Sequence, residues 1–240
     1  MDSFFNTNYE YILKSVPLKN RNLMICYLEF IKLGIKAGLN QKLKADIKLK
    51  KFDLLYKQIF KNCALKNNII HTLQTEFVKE NISLSLLSDM IKAFKQLSAK
   101  TDEKDWNNKT YCYHLFVSPL ARMIIVLNDL NMSVYMPFTS LLMCAMLISD
   151  IMNNKIKQRR FYVSKINGFL KDAKIMPLII KNRTFRFKTW CFLTMLEQLA
   201  KKIIKKHKLS LSNFDFIKIL FYASLKWLFV RVKTLDLKGI

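Results

Sequence analysis

RNLMICYLEFIKLGIKAG, residues 21–38, carries apolar side chains around most of a helical circumference. A helix that is apolar nearly all round is buried on several sides, so its neighbours must be further elements that cover it. Those elements follow along the chain with the same period. KLKKFDLLYKQIFKNC (48–63), KNNIIHTLQTEFVKEN (66–81) and SLSLLSDMIKAFKQLSAK (83–100) each read as a helix, the last two joined at Asn81–Ser83 by small polar residues suited to capping. EKDWNNKTYCYHLFVSPLARMIIVLND (103–129) contains Pro119, which is expected to end or kink a helix there and start the next. A short connection containing Gly168 and Pro177 is expected before FRFKTWCFLTMLEQLAKKIIKKHK (185–208), whose lysines crowd toward the C-terminal end where the helix dipole favours them. NFDFIKILFYASLKWLFVRV (213–232) reads as a last apolar helix.

Only four glycines and four prolines occur in 240 residues. That scarcity excludes a sheet fold rich in tight turns, and equally a glycine-rich phosphate loop, because both need residues tolerant of positive φ. The expected architecture is one all-α domain over residues 1–240, with eight to ten helices around one core. The five cysteines are odd in number and scattered, without a C-x-x-C pair. They indicate neither a disulfide framework nor a zinc site, and they fit a reducing, cytoplasmic setting. His71, His114 and His207 have no partner spacing, and no G-x-S-x-G or Cys/His arrangement suggests hydrolysis.

A net charge of +24 raises nucleic acid as a partner. The lysines are spread over nearly every segment, however, which favours a solvated basic surface over a built patch. The same charge draws the chain toward anionic lipid headgroups or diphosphates, and so toward the inner face of a membrane as a peripheral protein. The start, MDSFFNTNYEYILK, lacks the basic and apolar regions of a signal peptide. Leu130–Ser149 carries no charge but is diluted by Asn131, Ser133, Thr139 and Ser140 and interrupted by Pro137, so it reads as a buried core helix rather than a membrane span.

That stretch runs into CAMLISDIMNNKIKQRRFYVS, residues 144–164. On a helix Met143, Met146, Asp150 and Asn154 share one face. A second carboxylate at position 154 would complete a D-x-x-x-D pair, the one-turn spacing that lets two acids share a divalent cation with a diphosphate. Asparagine stands there instead. Asp150 is then either what is left of a metal pair or an ordinary helix-end acid.

From Ile82 onward the order of features resembles the squalene/phytoene synthase family, most closely its bacterial hydroxysqualene synthase branch. LLSDMIKAFKQ is similar to the family's L-L-D-A-F-x-Q-D, with Leu97 in place of the acid. In DWNNKTYCYHLFVSPLARMII, Trp106, Pro119, Arg122 and Met123 stand in register with W-x-x-L-x-x-Y-C-x-x-S-A-x-P-V-G-R-M. Tyr111 and Cys112 fall one place early, and Ala121 replaces a glycine. LLMCAMLISDIMNNKIKQRRFYVS resembles the second aspartate motif: Asp150, Arg160 and Tyr162 match, while Met143, Met146, Asn154 and Ser164 replace its glutamine, asparagine, second aspartate and proline. At FIKLGIKAGL, where the first motif F-x-R-x-x-D-D-x-x-D belongs, Ile35, Lys36 and Leu39 occupy the three aspartate positions.

The resemblance implies an isoprenoid-synthase-like helical domain with a central cavity. It implies condensation of two farnesyl diphosphates, with Mg²⁺ held between the two aspartate motifs. By that resemblance Asp150 and Tyr162 are the candidate catalytic residues, and Asp150 the remaining metal ligand. Arg122, Arg160, Lys36 and Lys155 are the candidate diphosphate cradle, and Met143, Met146 and Asn154 line the cavity. Each also has a plainer reading: the methionines as core filler, the arginines as surface cations and Tyr162 as a packed aromatic. A multi-magnesium cluster needs several oxygen ligands, and four of the family's acids are absent. Catalysis is therefore expected to be impaired or lost. The alternative expectations are a non-catalytic module of the same fold that binds an isoprenoid or other lipid or serves in assembly, or a basic helical protein binding nucleic acid.

Overall fold

The computed structural model describes residues 12–38, 42–60, 68–99, 106–153 and 159–204. Among them helix accounts for 88% and no strand occurs, which is the all-α composition expected from so few glycines and prolines. The helix expected at residues 213–232 lies outside the described residues. The chain divides into two units, Met1–Asp129 and Leu130–Ile240.

In the first unit the helices are α1 (Arg21–Gly38), α2 (Ala45–Phe60), α3 (Asn68–Lys79), α4 (Ser85–Ala99) and α5 (Trp106–Leu127). The bounds of α1 coincide with the stretch that opens the sequence argument. Helix α4 is the hub, packing against α1, α2 and α5, while α3 lies against α1 and α2. The reason is visible in one side chain. The ring of Phe94 on α4 meets Phe30 of α1 edge-on at 5.4 Å, Phe52 of α2 at 5.5 Å and Phe116 of α5 at 5.8 Å. All four rings are buried, and aromatic contacts of this kind each contribute about 0.5–1.5 kcal/mol beyond the area they remove from water. Gly34 makes this possible: a Cβ there would lie 2.0 Å from the Phe94 ring.

Polar groups close the ends of these helices. Asn81, with φ at 53°, ends α3 in a left-handed turn, where Ile82 N–H donates to Phe77 O at 2.7 Å and Asn81 N–H to Val78 O at 3.1 Å. This is the C-terminal capping motif that the small polar run at 81–83 promised. The buried Lys48 donates through Nζ to Gly38 O at 2.8 Å, placing a cation on the carbonyl end of α1. Asn20 Nδ2 donates to Leu127 O at 3.2 Å, tying the start of α1 to the end of α5.

Pro119 does not divide α5, which runs through it from Trp106 to Leu127. Proline removes one backbone donor, but Phe116, Val117, Leu120, Ala121, Met123 and Ile124 are all buried on either side of it. Their packing outweighs the roughly 3 kcal/mol that proline costs inside a helix.

In the second unit the helices are α6 (Tyr135–Asn153), α7 (Arg159–Ala173), the short α8 (Met176–Ile179) and α9 (Arg183–Ile204). Helix α6 packs against α7 and α9. Its window Met132–Ser149 is long and apolar enough to cross a bilayer, and 72% of it is buried within the structure. Pro137 falls in its first turn, where the missing N–H has no intrahelical partner to lose. Phe138 meets Phe185 of α9 edge-on at 5.9 Å, and Asn182 caps α9 by accepting from Phe185 N–H at 3.0 Å.

The connection expected around Gly168 is instead helix α7. Tyr162, Ile166, Leu170 and Ala173 recur on one buried face, and Gly168 lies on the exposed side with nothing within 4 Å of its Cβ position. A solvent-facing glycine costs a helix only about 1 kcal/mol, which this buried face outweighs.

Candidate functional site

Helices α1, α2 and α3 enclose a cleft of about 280 Å³ in the first unit. Phe30 and Gly34 of α1 and Phe52 of α2 belong to its lining. Ala37 is the next small residue along α1, so the wall of that helix stays low over one full turn. Ile69 and Ile70 close the side contributed by α3. At the mouth stand Leu33, 48% exposed, and Leu54, 59% exposed. Two polar side chains reach the lining, Lys51 and Gln58, both on α2. No acid lines it.

The lining is apolar apart from one cation, Lys51, and one amide, Gln58. Apolar pockets with a few convergent polar groups are the usual form of small-molecule sites, and 280 Å³ falls just below their range of about 300–1,000 Å³.

None of the described residues proposed from the sequence is in this lining. Ile35, one residue from Gly34, is buried, whereas Lys36 is exposed on α1. Neither supplies an oxygen to a divalent ion, so the early position does not fit Mg²⁺. Arg122, on α5, pairs with Asp89 of α4 at 3.4 Å, and Asp89 also accepts from Lys92 at 3.3 Å. Met143, Met146 and Tyr162 are buried in the second unit, at 1, 2 and 2% exposure. Asp150 falls on α6 and Arg160 at the start of α7, but their side chains lie outside the described residues. Leu39, Asn154 and Lys155 lie outside them altogether. Among the described residues no three His, Cys, Asp or Glu side chains converge as a metal site.

Nor is an activated nucleophile found among the thiols described. Burial pushes Cys26, Cys144 and Cys191 above the usual thiol range, with Glu76 adding to the effect at Cys26 and Glu197 at Cys144. A raised pKa keeps a thiol protonated and unreactive at neutral pH.

The cleft itself escaped the sequence reading, although one signal for it was present. Gly34 is one of only four glycines and stands inside a strongly apolar helix, where a glycine marks a close approach. No family model, no curated protein and no solved structure matches the chain.

Proposed function

We propose that the chain is a non-catalytic binder of a single apolar chain, a prenyl or acyl lipid with an anionic head, seated in the cleft between α1, α2 and α3. The observation that carries this reading is the acid-free, apolar lining with Lys51 as its one cation. Gly34, Phe30 and Phe52 offer the chain a dry wall, and burying each methylene against it is worth about 0.8 kcal/mol. Lys51, joined by the Gln58 amide, meets the head as a point charge with rotatable donors. Two farnesyl groups side by side would need more room, so one chain is the better fit. A relation to the squalene/phytoene synthases would then be that of a helical shell kept for binding after its metal ligands were replaced.

Titration with cis-parinaric acid, a fluorescent fatty acid, tests this in solution without any membrane. Saturable binding, displaced by farnesol and lost in Ala37→Phe while the helical circular dichroism is retained, is the expected result. Parinaric acid that fails to saturate, or that binds Ala37→Phe as well as the unmodified protein, would reject the cleft as its seat.

A further inference from the structure

Helix α2 carries an exposed face that the packing of the first unit does not use. Ile47, Lys50, Lys51, Leu54, Lys57 and Gln58 follow one another at i, i+3, i+4, i+7, i+10 and i+11, which is a single stripe along a helix of 3.6 residues per turn. Ile47 is 41% and Leu54 59% exposed, and Lys50, Lys51 and Lys57 are exposed beside them. The acids of α2 flank the stripe on the side of Lys50 and Lys57: Asp53 forms an ion pair with Lys95 of α4, and Asp46 stands one turn before Lys50. Lys51, Leu54 and Gln58 belong both to the stripe and to the cleft lining, so the cleft opens on this face.

We infer that this stripe is a docking surface for an anionic lipid bilayer, with Leu54 and Ile47 entering the headgroup boundary and the lysines flanking them on the phosphates. Two aliphatic side chains framed by three lysines, which with Lys95 outnumber the two carboxylates flanking them, match an anionic interface in both charge and polarity. Lysine stems lie along apolar surface while their ammonium groups reach the headgroups. The same face suits nucleic acid less well. Single strands are held by stacking bases on aromatic rings between basic residues, and Ile47 and Leu54 offer no ring. Exposed Tyr56 and Phe60 of the same helix stack on each other at 4.6 Å, away from the stripe. A bilayer at this face also sets the cleft mouth against the pool of apolar chains. That delivery rests on the cleft reading above, whereas the docking surface stands on its own residues.

The test is sedimentation of the full chain with vesicles of neutral phosphatidylcholine, with and without one quarter phosphatidylglycerol. Binding is expected only with the anionic lipid and is expected to fall as salt rises, because exposed charges are screened over about 10 Å at 0.1 M. Lys50→Glu combined with Lys57→Glu leaves the cleft lining intact and is expected to weaken binding about thirtyfold or more, taking each lysine near the surface as about fivefold. Leu54→Asp, at an exposed site, is expected to weaken it as well. Lys171→Glu with Lys181→Glu, both exposed in the second unit, makes the same change in net charge and should leave most binding in place.

Equal loss from the two lysine pairs, or equal binding to neutral vesicles, overturns the surface. So does a single-stranded oligonucleotide that displaces the protein from vesicles and binds through Lys50 and Lys57 with higher affinity. Parinaric acid binding without vesicle binding would sink the surface and keep the cleft, and vesicle binding without parinaric acid binding would do the reverse.

Discussion

Tyr27 sits at the middle of α1 with no exposed area, its ring 6.1 Å from Phe77, and among the described residues its hydroxyl meets no hydrogen-bond partner. Burial and the nearby Asp89 carboxylate hold the phenol well above its usual range, so it stays protonated at any pH the fold tolerates. A buried hydroxyl without a partner costs about 1–3 kcal/mol of lost hydration, while the ring that carries it contributes apolar area. Tyr27→Phe keeps the ring and removes the cost. It is expected to leave stability unchanged or to raise it by about 1 kcal/mol, measured as the midpoint and slope of urea unfolding. Destabilisation by more than about 1 kcal/mol would show that the hydroxyl is held by a group beyond the described residues.

Between α1 and α4 the controlling contact is Gly34 against Phe94, and two effects of opposite sign meet there. Alanine in place of glycine favours the helix by about 1 kcal/mol. Its Cβ, however, would lie 2.0, 2.2 and 2.4 Å from three atoms of a ring already fixed by Phe30, Phe52 and Phe116. Overpacking of this kind costs about 1–3 kcal/mol, and a ring held on three sides has little freedom to give way. Gly34→Ala is therefore expected to be destabilising, by thermal unfolding, and a variant more stable than the parent would mean that Phe94 relaxes freely. The same contact explains what the sequence revealed and what it hid. Helix α1 was legible to its end residues because burial on several sides leaves an apolar pattern that nothing else imitates. Pro119 and Gly168 misled, since local propensity was set against packing that only the folded chain displays. The cleft stayed hidden because Gly34, Lys51 and Ile70 are far apart in the chain and become one wall only when three helices meet. The stripe on α2 was present in the spacing, but lysines spread over every segment masked it.

Across the chain, 41 basic residues face 17 acids, and four of the described acids in the first unit are engaged in ion pairs. Asp89 pairs with Arg122 and Lys92, Asp53 with Lys95, Glu76 with Lys79 and Glu29 with Lys32. A magnesium ion that grips a diphosphate is bound through carboxylates which must be free to turn toward it. By the resemblance proposed from the sequence, Ile35 and Lys36 would stand where the squalene/phytoene synthases carry acids. Purified protein given farnesyl diphosphate and Mg²⁺ is accordingly expected to form no squalene-type product above an EDTA control. Asn154→Asp alone is not expected to change that, because it adds no ligand at residues 35 and 36. Nor does rebuilding the early motif offer a route: Ile35 is 1% exposed, and a carboxylate placed there without a partner is expected to cost several kcal/mol and to unfold the first unit before it binds metal. Circular dichroism of Ile35→Asp separates that loss of fold from a loss of chemistry. Magnesium-dependent turnover by the unmodified chain would require acids such as Asp46 or Asp89 to serve as ligands. Asp89→Asn would then abolish turnover, whereas in a binding protein it removes only partly exposed ion pairs with Arg122 and Lys92, each worth about 1 kcal/mol or less.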